Sequence, residues 1–296
     1  MTDHAQSQNK GPSGVDYVPN EEGILVPQTP IIDRDDEFKS KAFDILWDMQ
    51  IRHFWYRGRH RFLLHATKRA LRDLLSTRSS LAVVDLGGGC GGWVKYLTER
   101  RPDAVTEIAL ADLSLLALQR AGSLLPAGIA RYQVDLLNLK WRERWDCAFL
   151  LDVLEHLPDD ESAMRQVALA LKPGGIAFVT MPALQFFWSY NDDVGHLRRY
   201  NRHDLGRLAD AAGLRLVTGR YFMFFLSPLL WLSRCKPGMA KLTPEQKLER
   251  GKQAHRIPIA PVNEVLAAIF CAETPLGHWA SFPWGTSVLG VFQKPQ

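Results

Sequence analysis

Along residues 78–220, short apolar runs rich in β-branched residues alternate with segments whose apolar positions recur every three or four residues, the pattern of strands and helices taking turns. Leu81–Leu86 reads as a buried parallel strand and Trp93–Arg100 as the helix after it. Further strands are expected over Glu107–Ala111, Arg131–Val134, Trp145–Leu151, Ile176–Met181, Leu214–Gly219 and, at the far end, Ser287–Phe292. Helices are expected over Ser114–Leu125, Glu161–Leu171 and His203–Ala212, with a turn at Lys172–Gly175 and Gly213 stopping the last helix. This alternation predicts an α/β fold, a Rossmann-like seven-stranded sheet with helices on both faces.

The flanks read differently. Residues 1–36 mix Gly, Pro, Gln, Asn and Asp without periodicity, as a disordered or loosely docked tail in which Ile24–Pro27 has a local chance to dock. Over 37–77 the spacing of Phe43, Leu46, Met49, Phe62, Leu63, Ala66, Ala70, Leu71 and Leu74 predicts a helical cover before the core. Residues 221–282 are too many for a plain connection and form an insertion before the last strand and tail, 283–296. The insertion opens with the apolar run Tyr221–Leu232, shorter than the ~20 residues of a membrane span and interrupted by Pro228. A lid over a pocket or a homodimer contact is the plainer expectation; Arg234, Lys236 and Lys241 also allow a peripheral membrane contact. Val262–Ala272 predicts a helix beside it.

Glycine fills the turn after the first strand, in Asp85-Leu86-Gly87-Gly88-Gly89-Cys90-Gly91-Gly92. Side chains there would keep a ligand off the backbone. Gly87, Gly89 and Gly92 satisfy G-x-G-x-x-G, which suits a nicotinamide-dependent oxidoreductase. Asp85, Gly87, Gly89 and Gly91 satisfy a second pattern, acidic-x-Gly-x-Gly-x-Gly, and downstream residues must separate the two. Ligands in open parallel sheets bind beyond the carboxyl ends of the strands, where Asp85, Asp112, Asp135 and Asp152 all fall. One such aspartate would mean little, since aspartate also caps helices; four at successive ends point to a ligand. Asp112, 27 positions after Asp85, suits the hydroxyls of a ribose, which both cofactors carry.

Composition narrows the class only a little. With 46% hydrophobic and 23% charged residues, 296 positions suffice for one large domain with an elaboration. Cys90, Cys147, Cys235 and Cys271 form no C-x-x-C pair, so neither a zinc knuckle nor a disulfide framework is indicated and a reducing cytoplasm is the expected location. Met1–Asn20 carries no apolar stretch of the secretory kind. A net charge of +4 is compatible with an anionic substrate or membrane surface and proves neither.

The second glycine pattern resembles motif I of the class I S-adenosylmethionine-dependent methyltransferases, and the resemblance continues in order from about Trp55 to Val217. His53-Phe54-Trp55-Tyr56-Arg57-Gly58-Arg59 is similar to an H-F-W-x-R-x-R segment that precedes motif I in a bacterial subgroup; it implies Tyr56, Arg57 and Arg59 as closing groups for the cofactor, against a plain docking role for the aromatics. Asp135-Leu136 matches the position that reads the adenine amino group. Trp145-Asp146 and Leu150–Leu157, with Leu151 and Asp152 beside the cofactor, match the fourth-strand motif, and Leu171–Gly175 another. The implied cofactor is S-adenosylmethionine, bound by Tyr56, Arg59, Asp85, Gly87, Gly89, Gly91, Asp112, Asp135, Leu136, Leu151 and Asp152.

A sulfonium methyl is already activated, so transfer asks chiefly for in-line positioning, and a hydroxyl acceptor also for a base. His156 and His196 are the candidates, against purely structural roles for both. His196 follows Phe186-Phe187-Trp188 in the loop after the fifth strand, a loop that lines the acceptor pocket in the family, where Asn191 and Arg199 are further candidates. Asp152, Glu155 and His156 also resemble the acidic-x-x-Glu-His arrangement of ubiquinone-pathway O-methyltransferases that use a divalent cation; Asp stands here where that family has Glu, and no metal is assigned. The expectation is methyl transfer to a small-molecule or lipid-like acceptor, most simply at oxygen, with nitrogen and carbon acceptors open. Nucleic acid is not expected: the fourth-strand end lacks an Asn-Pro-Pro-Tyr type motif, and Cys147 lies inside a strand.

Overall fold

The computed structural model describes residues 17–31, 46–189, 192, 195–234 and 256–296. The early tail, the start of the cover, Asn191, Cys235, Lys236 and Lys241 lie outside the described residues.

The strands are β1 (Tyr17–Pro19), β2 (Leu25–Pro27), β3 (Leu81–Leu86), β4 (Val105–Asp112), β5 (Ala130–Gln133), β6 (Trp145–Leu151), β7 (Leu171–Pro182), β8 (Arg215–Phe222) and β9 (Ser287–Gln293). They form one sheet in the order β1-β2-β5-β4-β3-β6-β7-β9-β8. From β5 to β7 neighbours run parallel, while β9 runs antiparallel to both β7 and β8. The seven expected strands are all present, and β1 and β2 extend them to nine as a hairpin joined to β5 at Leu25 and Tyr132. Burial of Ile24 (0% exposed) and the packing of the Tyr17 ring on Tyr132 and Trp141 hold that hairpin on the edge. Two three-residue strands ending in Pro19 and Pro27 are too short to show a period of two, so the sequence reads them as tail.

The helices are α1 (46–52), α2 (Phe54–Leu75), α3 (Gly92–Thr98), α4 (Leu115–Leu124), α5 (Asp160–Ala170), α6 (Arg202–Ala212), α7 (Ser227–Arg234) and α8 (Ala260–Trp279). Alternation along β3 divides the core in two. Ala82, Val84 and Leu86 face Met164, Val167, Leu205 and Leu208 of α5 and α6, whereas Leu81 and Val83 join Phe62, Leu71, Trp93 and Phe270 on the opposite face. Ser114 caps α4 through Ala117 N (3.3 Å), and Gly213 ends α6 at a φ of 65°. Lys172–Gly175, expected as a turn, is instead part of β7: Gly174 takes a φ of 72° and the register against β6 shifts between Trp145 and Cys147, a bulge rather than a break.

The cover and the insertion meet. The Phe270 ring of α8 lies where a side chain on Gly58 of α2 would stand, a would-be Cβ there falling 2.1 Å from it. Phe54 N donates to Asn263 (2.9 Å), and Arg57 grips Glu264 through two bonds of 2.5 and 2.9 Å. Among the described residues, no helix is long and apolar enough to cross a membrane.

Candidate functional site

The carboxyl ends of β3, β4, β6 and β7 open on one edge of the sheet, beneath α1 and α2. Gly87, Gly89 and Gly91 have φ of 74°, 57° and 81°, so all three glycines of the second sequence pattern sit in the left-handed region, where a side chain strains the backbone. Gly88 matters for a different reason: a Cβ there would fall 2.3 Å from Asp85 Oδ2. The missing side chain lets the Asp85 carboxylate tuck under the turn.

Asp85 is 1% exposed, and neither of its carboxylate oxygens has a hydrogen-bond partner. Burial pushes its pKa up to about 7, with Arg59 opposing and Asp112 adding to the rise. Asp112 accepts from Gly89 N (2.8 Å) and Ser114 N (2.9 Å), bracing the glycine turn against the start of α4. Asp135 accepts from Leu137 N (2.9 Å) in the following helical turn, which buries Leu136. Gln50 of α1 lies over the turn, its Oε1 accepting from Gly92 N (3.0 Å) and its Nε2 donating to Gly88 O (3.4 Å). Neither Gln50 nor Gly88 was a sequence candidate.

Arg59, on α2, crosses to the tip of β6 and pairs with Asp152, which also accepts from Thr180 Oγ1 (3.3 Å). Asp152 holds a φ of 61°, a left-handed conformation for a residue with a side chain, just past the buried Leu151. The Arg59 guanidinium stands 4.7 Å and 4.8 Å from the Trp55 and Tyr56 ring centres, and its Nε is buried without a partner. Burial raises the Tyr56 pKa to about 12, so its phenol keeps its proton. Arg57 does not join this group; it points to Glu264 on α8.

The second half of the site lies in the loops after β6 and β7. Leu197 N donates to Glu155 O (2.8 Å), and His156 Nδ1 donates to Gly195 O (2.9 Å), stitching the loops together. His196 Nδ1 meets Asp192 Oδ1 at 2.9 Å, and the two histidine rings are 4.9 Å apart. Asp192, 0% exposed, also accepts from Ser189 N, Ser189 Oγ and Arg199 Nε. Burial works against its charge, but the bonds from His196 and Arg199 outweigh that and hold the carboxyl well below its usual range. In a neutral imidazole, an Nδ1 committed as a donor leaves Nε2 with a lone pair. Burial and the neighbouring His196 lower the His156 pKa, which favours that neutral form.

Arg199, a sequence candidate for the acceptor pocket, spends its guanidinium on Asp192 and Ala183 O and is 4% exposed on its side chain, so it props the loop. Glu155 is fully buried with both carboxylate oxygens unpartnered; burial and then Asp152 raise its pKa well above the carboxylate range. Glu155, His156 and His196 each bring one ligand atom within 4.8 Å of the others, while Asp152 is turned to Arg59. A cavity of about 700 Å³ is at the opposite, amino end of the strands, where Arg78 and Lys172 already neutralise Asp146. A cavity of about 430 Å³ beside the cover is lined by Gln50, Arg57, His60, Gly92, Tyr96 and Cys271.

A family model described as a methyltransferase domain matches residues 48–218, from α1 through β8. The chain belongs to the class I S-adenosylmethionine-dependent methyltransferase family. That membership removes the dinucleotide reading of the glycine turn. Among relatives of this family member, a ubiquinone biosynthesis O-methyltransferase of Chromobacterium violaceum is 31% identical over 135 residues, covering 44% of this chain and 58% of the relative. A trans-aconitate 2-methyltransferase of an Azoarcus species is 33% identical over 117 residues, covering 38% and 45%. The match spans about half the length of these curated relatives. Among solved structures, phosphoethanolamine N-methyltransferase 2 of Haemonchus contortus, in complex with S-adenosyl-L-methionine, shares the fold with a TM-score of 0.54 and 14% identity, covering 92% of this chain and 62% of that one.

The residues present fit the family's cofactor. A bare left-handed turn and buried polar atoms without partners, on Asp85 and Arg59, surround the strand tips, a group that is costly to bury unless a charged polar ligand completes it.

Proposed function

We propose that the chain methylates a hydroxyl of a small-molecule or lipid-like acceptor, drawing the methyl group from S-adenosylmethionine. When bound, S-adenosylmethionine supplies an activated methyl on a sulfonium. The glycine turn and Asp85 would receive its cationic end, Arg59 through its free Nε its carboxylate, Asp112 its ribose, and Asp135 with Leu136 its adenine. Tyr56 and Gln50 would cover it from the helical side.

The observation that carries an oxygen acceptor is the Asp192–His196 pair. A buried carboxylate fixes Nδ1 of His196, so Nε2 is presented with a lone pair and the imidazolium formed on accepting a proton is stabilised in place. His156, anchored by Gly195 O, stands beside it as the second basic nitrogen. The likeness to a ubiquinone biosynthesis O-methyltransferase supports oxygen over nitrogen or carbon. Glu155 completes a donor set with the two histidines, but no step needs a metal and none is assigned.

The test is incubation with S-adenosylmethionine carrying a labelled methyl group and a panel of phenols, alcohols, carboxylic acids and amines, read by mass spectrometry. Labelled methyl ethers or esters are expected, lost in His196→Ala with cofactor binding intact. Labelled amines alone, or turnover unchanged in that variant, would overturn the oxygen assignment.

A further inference from the structure

Helix α8 carries apolar side chains on its outer face as well as on its buried one. The buried face holds Ala267 and Phe270 beside the polar Asn263, Glu273 and Thr274, with Glu273 0% exposed. Its outer face carries Val262, Val265, Ile269, Ala272, Leu276 and Trp279, spaced as one helical stripe, with Val265 58% and Trp279 86% exposed. An apolar stripe of that length is covered by something in the working protein.

What borders it decides the occupant. Helix α2 lies alongside, with Gly58 against Phe270 and the His65 ring stacked on His278 at 4.3 Å. Its outward face carries Arg61, His65, Lys68, Arg69 and Arg72, again one helical stripe and all exposed. Among the described residues no carboxylate is ion-paired with Arg61, Lys68, Arg69 or Arg72, and the exposed carboxylate of α8, Glu264, is held by Arg57. Their field reaches their neighbours: burial and then Arg72, Arg69 and Arg61 lower the His65 pKa, and burial with Arg69 lowers that of Arg220. An apolar stripe flanked by unpaired cations and ending in an exposed tryptophan is the chemistry that binds an anionic bilayer surface. A second copy would bring the same cations against their own kind.

We propose that the α2–α8 face docks on an anionic lipid surface, with the α8 stripe in the headgroup boundary and the α2 cations against the phosphates. The inference rests on this face alone and stands whatever the acceptor is.

Co-sedimentation of the full chain with phosphatidylcholine vesicles, with and without phosphatidylglycerol, tests it. Binding to the anionic vesicles alone is expected, weakening with salt, by about five-fold for each charge removed in Arg69→Gln and Arg72→Gln, and abolished in Val265→Asp with Ile269→Asp. Lys140→Gln, at an exposed site away from this face, should leave it unchanged, and circular dichroism of each variant checks that it is folded. No sedimentation with anionic vesicles, equal sedimentation with neutral ones, or equal loss in Lys140→Gln would overturn the proposal. So would a dimer in analytical ultracentrifugation that Val265→Asp with Ile269→Asp dissociates while vesicle binding persists.

Discussion

At the tips of β3 and β4 the site is made of bare backbone and of two carboxylates facing it; at the tips of β6 and β7 it is made of side chains that hold one another across two loops. The first half depends on local geometry, a turn whose glycines sit at positive φ and Asp112 bonded to Gly89 N. The second depends on partners far apart in the chain, with Asp192 fixing His196 and Gly195 fixing His156. The division suits a transfer reaction: a half that recognises one fixed cofactor can be built from backbone, whereas a half that handles protons needs orientable imidazoles.

The contrast is sharpest at His196. Replacing it by Ala should lower kcat by about 10²–10⁴-fold, the usual contribution of a positioned base, with little change in cofactor affinity measured by calorimetry. A comparable loss of cofactor affinity would mean that the two halves are one.

Asp85 gives the next largest effect, on stability. Its folded pKa of about 7 lies above the 3.8 of a free aspartate, so the folded state holds the proton more tightly than the unfolded state. That contribution is fully present below pH 3.8 and is lost as pH rises through about 7, amounting to about 4 kcal/mol at most. Asp85→Asn without cofactor should therefore gain stability over the wild type at pH 8 and little at pH 4, checked by urea unfolding at both.

How far each half was legible follows the same line. The strand alternation, the glycine pattern and Asp112 are local signals, and the structure places them where the sequence implied. Arg57 and Arg59 could not be told apart in sequence, yet two positions apart on a helix they point about 200° from one another, one to Glu264 and one to Asp152. Asp192 looked like one polar residue in a polar loop; its role depends on His196 four positions on and Arg199 seven on, both folded back onto it. Gln50 reaches a turn 38 residues ahead, and no periodicity marks that contact.

Smaller effects separate backbone from cover. Gly89→Ala forces a side chain into a φ of 57° with Leu46 at 3.3 Å, and should destabilise the chain by about 1–2 kcal/mol in thermal unfolding while weakening cofactor binding. Gln50→Ala removes the cap on Gly92 N and should cost about 1 kcal/mol, again in thermal unfolding, with the glycine turn intact.

Calorimetric titration of the purified chain with S-adenosylmethionine and with S-adenosylhomocysteine bears most directly on the account. Saturable heat is expected for both ligands. Near pH 6.5 the heat of S-adenosylmethionine binding should vary with the ionisation enthalpy of the buffer, because a cationic ligand draws the proton off Asp85, and that variation should vanish in Asp85→Asn. No heat from either ligand would contradict the reading of the strand tips as a cradle for an adenosyl sulfonium.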